Sequence, residues 1–403
     1  MKKRVVVTGL GIISSLGNSL EETKISLEKN IRNYSTIPDE RFSTDHKFYR
    51  NNKGFRIDQD LYECLKNEEV SLLYPLASKS IKEALDDSRL SMRNLQEKRS
   101  GLCLGTSVGA SYVLIERIKN KIFKNEDNFS YGKYTTPAMI GKIASDFRLN
   151  GSVSTISTAC ASGTNSIGRA FDLIQNGRED IMICGGLDIF TELTYSGFNS
   201  LFAISKDVCK PFSEQRDGMS LGDACAILIL ETYDSAKARG ANIYGEIKSY
   251  YTLNEAYHPT APHPDGVYAY SCMKNALHYG NIAIEEVDYI NAHGTGTEKN
   301  DISELKGMDL LLQNKEVKTY ANSTKGFTGH TLGAAGSIEA IISLLSIKNN
   351  TLYACNNQNS YLHSDKIKFV EKNIENIHIN ALISNSFGFG GNMASIVIKN
   401  INN

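Results

Sequence analysis

The chain lacks a surplus of charge of either sign. Its 403 residues include 44 lysines and arginines against 45 aspartates and glutamates, a formal net charge of −1. Nucleic-acid-binding proteins normally carry a strong basic excess, so the composition disfavours that class. An acidic partner would have to be met by a local basic patch rather than by the surface as a whole.

Long apolar runs are also missing. No uninterrupted apolar segment approaches the roughly 20 residues of a transmembrane helix, so we predict no membrane span. The basic start at residues 1–4 leads into an apolar run that Thr8, Gly9 and Gly11 interrupt, and no small-residue cleavage site follows. This pattern argues against a secretory signal peptide and favours a cytoplasmic protein.

Cysteines and prolines are placed without the spacing that structural sites need. The eight cysteines are scattered and include no C-x-x-C pair, which disfavours a zinc ribbon or a disulfide framework and indicates reduced thiols. The seven prolines form no proline-rich linker between mobile domains. With 41% hydrophobic and 22% charged residues, the chain has the composition of an ordinary globular protein.

Short apolar runs alternate with helical patterns along the chain, which predicts an α/β fold with largely buried sheets. Residues 5–7 are expected to be a strand that ends in a tight turn at residues 8–11. Further candidate strands lie at residues 101–105, 181–186, 226–230, 287–291 and 381–384.

Two helical patterns suggest an internal duplication. Each follows a turn of very small residues, after Cys160 and after His330, and each has apolar residues at the i, i+3, i+4, i+7 spacing of an amphipathic helix. Any α/β protein can offer such a pair, so the pattern alone leaves duplication open. We expect two related halves, at residues 1–240 and 241–403.

The cysteine with the most reactive surroundings is Cys160, in the stretch Ser157–Thr158–Ala159–Cys160–Ala161–Ser162–Gly163–Thr164. It lies at a predicted strand-to-helix turn, where the helix dipole is expected to lower the thiol pKa. The alternative is a buried structural thiol, the usual fate of a free cysteine. The small neighbouring residues, which leave room for a substrate, favour a nucleophile.

Three further stretches combine histidine or glycine with predicted strand ends. His293 enters the loop His293–Gly294–Thr295–Gly296–Thr297, and His330 ends the stretch Ser323–Thr324–Lys325–Gly326–Phe327–Thr328–Gly329–His330. The glycine-rich loop at residues 385–391 can present backbone N–H groups to an oxyanion. Together with Cys160 they match the Cys–His arrangement of nucleophilic thiol catalysis.

These stretches resemble the β-ketoacyl-acyl carrier protein synthases, the elongating condensing enzymes of the thiolase superfamily. The resemblance runs from Val5 to about Ile398, and its motifs are T-A-C-A-S at 158–162, H-G-T-G-T at 293–297, S-T-K-G-F-T-G-H at 323–330 and N-S-F-G-F-G-G at 385–391. It implies a duplicated thiolase-like fold in five layers, α-β-α-β-α. Chain-initiating relatives generally carry asparagine in place of His330, and non-catalytic chain-length partners lack the cysteine.

The resemblance implies the roles of the central residues. Cys160 would accept an acyl chain from an acyl carrier protein, and His293 and His330 would stabilise the enolate formed when malonyl-acyl carrier protein loses carbon dioxide. Lys325 would orient the histidines. The product would be a β-ketoacyl-acyl carrier protein two carbons longer, with substrates carried on phosphopantetheine and with no bound cofactor or metal.

The resemblance also implies roles for residues around this centre. Thr295 and Thr297 would hydrogen-bond the pantetheine arm. Phe387 would gate the nucleophile and share the oxyanion hole with Cys160 through its backbone N–H. Asp301 and Glu304 would support the site, unless they only begin a solvated helix. Val108 would line the acyl channel, with plain core packing as the equal alternative.

The expected partners are an acidic acyl carrier protein and a second subunit, either a copy or a chain-length-factor-like chain. A candidate docking patch is basic and comprises Arg117, Lys119, Lys121 and Lys124. A solvated helix face or a dimer contact is the alternative. Asn165, and Asn392 and Met393 after the last motif, depart from the common family pattern and suggest a specialised polyketide or polyene pathway beside ordinary fatty acid synthesis.

Three other classes compete with this interpretation. The stretch at residues 7–11 resembles a dinucleotide-binding loop of an NADP-dependent oxidoreductase, but Ser14 stands where the fingerprint needs its last glycine. A coenzyme A-dependent thiolase would need a second cysteine in the C-terminal glycine-rich loop, which has none. His258 and His263 suggest a metal site, but the prolines between them prevent the helical pair of a zinc protease.

Overall fold

A computed structural model describes residues 2–38, 41–42, 48–65, 71–110, 113, 121–122, 135–354 and 360–401. The strands in these ranges are β1 (Val5–Ser14), β2 (Tyr34–Thr36), β3 (Lys53–Phe55), β4 (Ser100–Gly105), β5 (Val153–Ile156), β6 (Ile181–Asp188), β7 (Ala224–Thr232), β8 (Gly245–Asn254), β9 (Val287–Asn291), β10 (Thr319–Asn322), β11 (Ile367–Phe369), β12 (Ala381–Gly388) and β13 (Asn392–Lys399).

The α-helices in the same ranges are α1 (Leu20–Glu28), α2 (Gln59–Leu65), α3 (Leu73–Ser88), α4 (Met92–Glu97), α5 (Thr136–Asp146), α6 (Ser162–Gln175), α7 (Glu192–Ser200), α8 (Tyr233–Ala238), α9 (Val267–Gly280), α10 (Glu298–Leu312), α11 (Lys325–Thr328) and α12 (Ala335–Asn349). Among the described residues, no helix combines the length and apolar character needed to cross a membrane.

Eleven of the strands in the described ranges form one mixed sheet in the order β11-β10-β9-β12-β13-β8-β1-β7-β6-β4-β5. From its outer edge inwards, the first half-sheet has the order β5-β4-β6-β7-β1. In chain order these are the third, second, fourth, fifth and first of the five strands. The strands β10, β9, β12, β13 and β8 repeat this order and its parallel and antiparallel pairs, with β11 added outside β10. The predicted duplication is therefore present in the topology, while the boundary between residues 240 and 241 stays a prediction.

The helices turn the two half-sheets into five layers. Helices α6 and α12 contact each other and lie between the half-sheets, α3 and α5 cover the first half-sheet, and α9 and α10 cover the second. Alternate residues of β6 point to different cores: Ile181 and Ile183 belong to the cluster under α3, and Met182 and Cys184 to the central cluster around α6 and α12.

The expected tight turn at residues 8–11 is wrong. Strand β1 continues through these residues to Ser14 and is fully buried. Its glycines allow the close approach of α3, because a Cβ at Gly9 would lie 2.2 Å from the Ala84 carbonyl oxygen and one at Gly11 would lie 1.9 Å from that of Ser80. A strand interior with no loop at this point also removes the basis of the dinucleotide-binding alternative.

Candidate active site

Cys160 lies on a tight connection between β5 and α6. Ala159 before it has a φ of 50°, a left-handed conformation that costs a non-glycine residue roughly 1–2 kcal/mol. The side chain of Ser162 holds the turn, since its Oγ accepts from the Thr158 N–H at 2.8 Å and donates to the Ala159 carbonyl at 2.6 Å. Backbone strain of this kind is maintained at functional sites, where it aims a side chain.

The fold brings Cys160, His293 and His330 together. The thiol sulfur and one ring nitrogen of each histidine all lie within 4.8 Å of one another, and all three residues are buried. His293 follows β9 by two residues, and His330 follows α11 by two. The imidazole centroids are 5.3 Å apart, with the rings inclined at 82°. The cysteine comes from the first half of the chain and both histidines from the second.

Hydrogen bonds fix the tautomer of both histidines. The Nδ1 of His330 accepts the Leu332 N–H at 3.1 Å, and the Nδ1 of His293 lies 3.2 Å from Nζ of Lys325, an ammonium that only donates. Each neutral imidazole must therefore carry its proton on Nε2. The two rings can donate these protons to an oxygen that develops negative charge.

Lys325 is buried and paired with Glu339, the acidic residue that sequence reasoning missed. Its Nζ donates to the Glu339 carboxylate and to the His293 carbonyl, and both ion-pair side chains are 1% exposed. Glu339 lies in α12 among small and apolar residues. A lone acid in such a helix was the available signal, because a buried charge needs a partner.

The protonation states of the three central residues follow from burial and this ammonium. Burial, then the charge of Lys325, holds the pKa of both His293 and His330 well below the usual value, so both rings are neutral. Burial raises the pKa of the Cys160 thiol to about 11, while Lys325 and the backbone N–H groups of Phe389 and Cys160 oppose that rise. The expected net lowering by the helix dipole is therefore wrong.

The thiol is reached through a cavity of about 500 Å³. Its polar wall includes Thr295 and Thr297, whose hydroxyl oxygens are 2.8 Å apart. Phe387 also lines the cavity, with its ring centroid 6.0 Å from that of His293. Hydroxyl groups along a passage to a thiol can bind the amides of an extended arm.

Asp301 and Glu304 are buried, so the solvated-helix alternative is wrong. Glu304 accepts the backbone N–H groups of His293 and Gly294, each at 2.8 Å. Asp301 accepts the N–H of Gly296 at 3.1 Å and that of Phe212 at 2.7 Å. The two carboxylates hold the loop that carries His293 and the threonines.

Phe387 differs from its expected surroundings, and Val108 has the core packing that was one of its two expected roles. Two backbone N–H groups face the Cys160 thiol, that of Cys160 itself and that of Phe389. The second was expected to be that of Phe387. Val108 packs against the apolar cluster around Phe190 and Leu332, which also contains the cavity-lining Met219; Val108 itself does not line the cavity. Its N–H donates to Asp188 at 3.1 Å.

The remaining candidates are the two histidines of the suggested metal site and the four basic residues of the suggested docking patch. In the loop after β8, the Nδ1 of His258 and that of His263 each accept a backbone N–H, so these imidazoles order their own loop. His258 lines the cavity. Arg117, Lys119 and Lys124 lie outside the described residues, and Lys121 is exposed.

Metal binding is disfavoured at the central residues, although their spacing could hold an ion. A thiol with a raised pKa is a poor ligand, and the Lys325 ammonium repels a second cation beside His293. The Nδ1 atoms of both histidines already accept hydrogen bonds. The arrangement suits acyl transfer to sulfur and stabilisation of an enolate.

Comparison with known proteins gives the same family across both halves. A family model described as "Beta-ketoacyl synthase, N-terminal domain" matches residues 2–236, and one described as "Beta-ketoacyl synthase, C-terminal domain" matches residues 244–359. The 3-oxoacyl-[acyl-carrier-protein] synthase 2 of Staphylococcus aureus strain N315 is 33% identical over 411 residues, covering 98% of each chain. That of a Synechocystis strain is 34% identical over 413 residues, covering 99% of this chain and 98% of its own.

Solved structures agree along the whole chain. The ishigamide ketosynthase/chain length factor matches with a TM-score of 0.91 at 28% identity, covering 100% of both chains. The AntDE:AntF structure is a type II polyketide synthase acyl-carrier protein in complex with its ketosynthase bound to the hexaketide. It matches with a TM-score of 0.89 at 28% identity, again over 100% of both chains.

Proposed function

We propose, from the premise that this chain belongs to the β-ketoacyl synthase family, that Cys160, His293 and His330 perform its chemistry. The family membership and the thiolase-like fold predicted from the motifs are confirmed. The chain is an acyltransferase-class condensing enzyme that acts on carrier-bound chains in fatty acid or polyketide synthesis. The observation that supports the residue roles is the meeting of one thiol with two Nε2–H imidazoles.

In the first half-reaction, the Cys160 sulfur attacks the thioester carbonyl of an acyl chain on a carrier protein. The bond from the carbonyl carbon to the carrier sulfur breaks, and the thiol proton ends on that leaving sulfur. The N–H groups of Cys160 and Phe389 stabilise the tetrahedral oxyanion, where the loss of one donor costs about 3 kcal/mol.

In the second half-reaction, a malonyl group on a carrier protein loses carbon dioxide. The electron pair left on the α-carbon forms an enolate, whose oxygen accepts the Nε2–H groups of His293 and His330. The enolate carbon then attacks the acyl carbonyl on Cys160. The carbon–sulfur bond breaks, and the released sulfur takes a proton from solvent to restore the thiol. The charge of the buried Lys325 stabilises the anionic states at short range.

The carrier presents both acyl groups on its phosphopantetheine arm, which enters along Thr295 and Thr297. The AntDE:AntF complex, in which a ketosynthase binds its acyl-carrier protein, supports this partner. The ishigamide structure, a ketosynthase with a chain length factor, supports a second subunit of the same fold. We therefore assign the chain an acyl carrier protein and a subunit partner, either its own copy or a chain-length-factor-like chain.

Intact-protein mass spectrometry tests this function. The wild type and Cys160→Ala are incubated with acyl-carrier proteins of several chain lengths, with and without a candidate partner subunit. The wild type should gain the mass of one acyl group, and Cys160→Ala should gain none. Equal acylation of both proteins would contradict the assignment of the nucleophile, and absence of acylation under every condition would contradict the proposed function.

A further inference from the structure

Phe202 occupies a position that favours glycine. It follows the end of α7, where the Ala203 N–H bonds the Phe198 carbonyl at 3.0 Å and the Phe202 N–H bonds the Asn199 carbonyl at 3.0 Å. The residue has a φ of 55°. Helices that end in this way usually carry glycine at the left-handed position, because a side chain is strained there.

Packing within the chain does not compensate for the strained backbone of Phe202. The Phe202 side chain is 76% exposed, and the neighbouring Leu201 is 52% exposed. An exposed aromatic ring in a strained backbone is unfavourable twice over in the isolated chain. Exposed apolar surface of this kind marks a contact with another molecule.

The position of these side chains indicates which molecule covers them. Leu201 and Phe202 line the entrance of the cavity that ends at Cys160, together with Phe389. Arg50 beside Phe202 is already engaged, because it pairs with Asp217 at 3.8 Å and donates to the Phe202 carbonyl at 2.9 Å. Leu201 and Phe202 therefore give this side of the entrance exposed apolar area.

We propose that Leu201 and Phe202 form an apolar docking point for the acyl carrier protein. The inference rests on the proposed function, since a carrier that inserts its arm must place the surface around the arm against this entrance. The complementary carrier surface has apolar side chains beside the residue that bears the arm. Burial of the Phe202 ring on docking would offset the strain in its backbone.

The test separates the carrier from its arm. Acylation of Cys160 is measured with one acyl group on the carrier protein and, separately, on free pantetheine, and the ratio of the two kcat/KM values gives the carrier preference. In Phe202→Gly this preference should fall about tenfold, as for the loss of an interface hot spot. Phe202→Leu should recover most of it, and Phe202→Gly should have a Tm no lower than the wild type because glycine relieves the strain.

Val317→Ala is the matched control, since Val317 is 73% exposed and does not line the cavity. Its carrier preference should equal that of the wild type. An unchanged preference in Phe202→Gly would overturn the docking point, as would a change in its oligomeric state, which would assign the ring to a subunit contact. Failure of the wild type with both donors would instead refute the proposed function itself.

Discussion

At the scale of single residues, one buried ammonium influences all three central side chains. Lys325 keeps the Nδ1 of His293 an acceptor, adds to burial in holding the pKa of both histidines down, and partly opposes the rise that burial causes in the pKa of Cys160. Its charge is tolerated inside the protein because Glu339 pairs with it. The tautomers and the charge balance of the site therefore depend on an ion pair that need not contact substrate.

Breaking that ion pair should affect stability and chemistry differently. Glu339→Gln leaves the Lys325 cation buried without a counter-charge, and we expect a loss of about 3–5 kcal/mol in the free energy of unfolding. Lys325→Met combined with Glu339→Met removes both charges and should recover most of that stability. The double variant should still fail to release carbon dioxide from malonyl-carrier protein. Denaturant unfolding and a decarboxylation assay measure the two effects. A single variant as stable as the wild type would contradict the buried ion pair.

The neutral histidines predict a particular pH dependence of stability. In the unfolded chain His330 binds a proton near pH 6.5, whereas its folded pKa lies well below that because of burial and Lys325. Stability from this residue is therefore present above pH 6.5 and lost as the pH falls towards the folded pKa. In His330→Asn this loss disappears. For each pH unit below 6.5, the free energy of unfolding of the variant should therefore rise by about 1.4 kcal/mol relative to that of the wild type.

Urea unfolding at pH 7.5 and 5.5 checks this dependence. His363→Asn is the control, because the side chain of that histidine is 86% exposed in the folded chain. A constant stability difference between His330→Asn and the wild type over this range would show that His330 titrates alike in both states.

At the scale of elements, α3 packs closely on the glycines of β1. Gly11→Ala would place a Cβ 1.9 Å from the Ser80 carbonyl oxygen, a backbone atom that cannot rotate away. We expect a loss of about 3 kcal/mol in the free energy of unfolding, at the upper end for overpacking. Gly141→Ala in α5 meets no atom within 4 Å and should stabilise the helix by about 1 kcal/mol or less. Equal effects at the two positions would contradict the close contact.

The same contact shows where prediction from sequence stops. Cys160, His293 and His330 could be found because each lies in a local motif of small residues, and the amphipathic patterns predicted α6 and α12. Whether a glycine-containing run such as residues 5–11 turns or continues is decided by a helix about 70 residues away, which no local pattern records. The Lys325–Glu339 pair likewise depends on two segments meeting in three dimensions.

At the scale of the whole molecule, the duplication explains why the site lies between the halves. The repeated strand order places the connection after β5 and the loop after β9 at equivalent ends of their half-sheets. The stacked helices α6 and α12 bring these ends together, so Cys160 of one half faces His293 and His330 of the other. Neither half contains a complete set of reacting groups.

The outer edge of the sheet predicts the subunit contact. Strand β5 is the last strand beside β4, and its sequence Val153–Ser154–Thr155–Ile156 has no charge or proline to protect an open edge. Val153 is 45% exposed, and β5 leads into the turn that carries Cys160.

We expect this edge to pair with the partner subunit, so Val153→Lys should raise the dissociation constant of the dimer about tenfold or more. Val317→Lys, on another exposed valine, should leave it unchanged. Sedimentation velocity over a range of concentrations measures both, and a Val153→Lys protein that associates like the wild type would place the contact elsewhere.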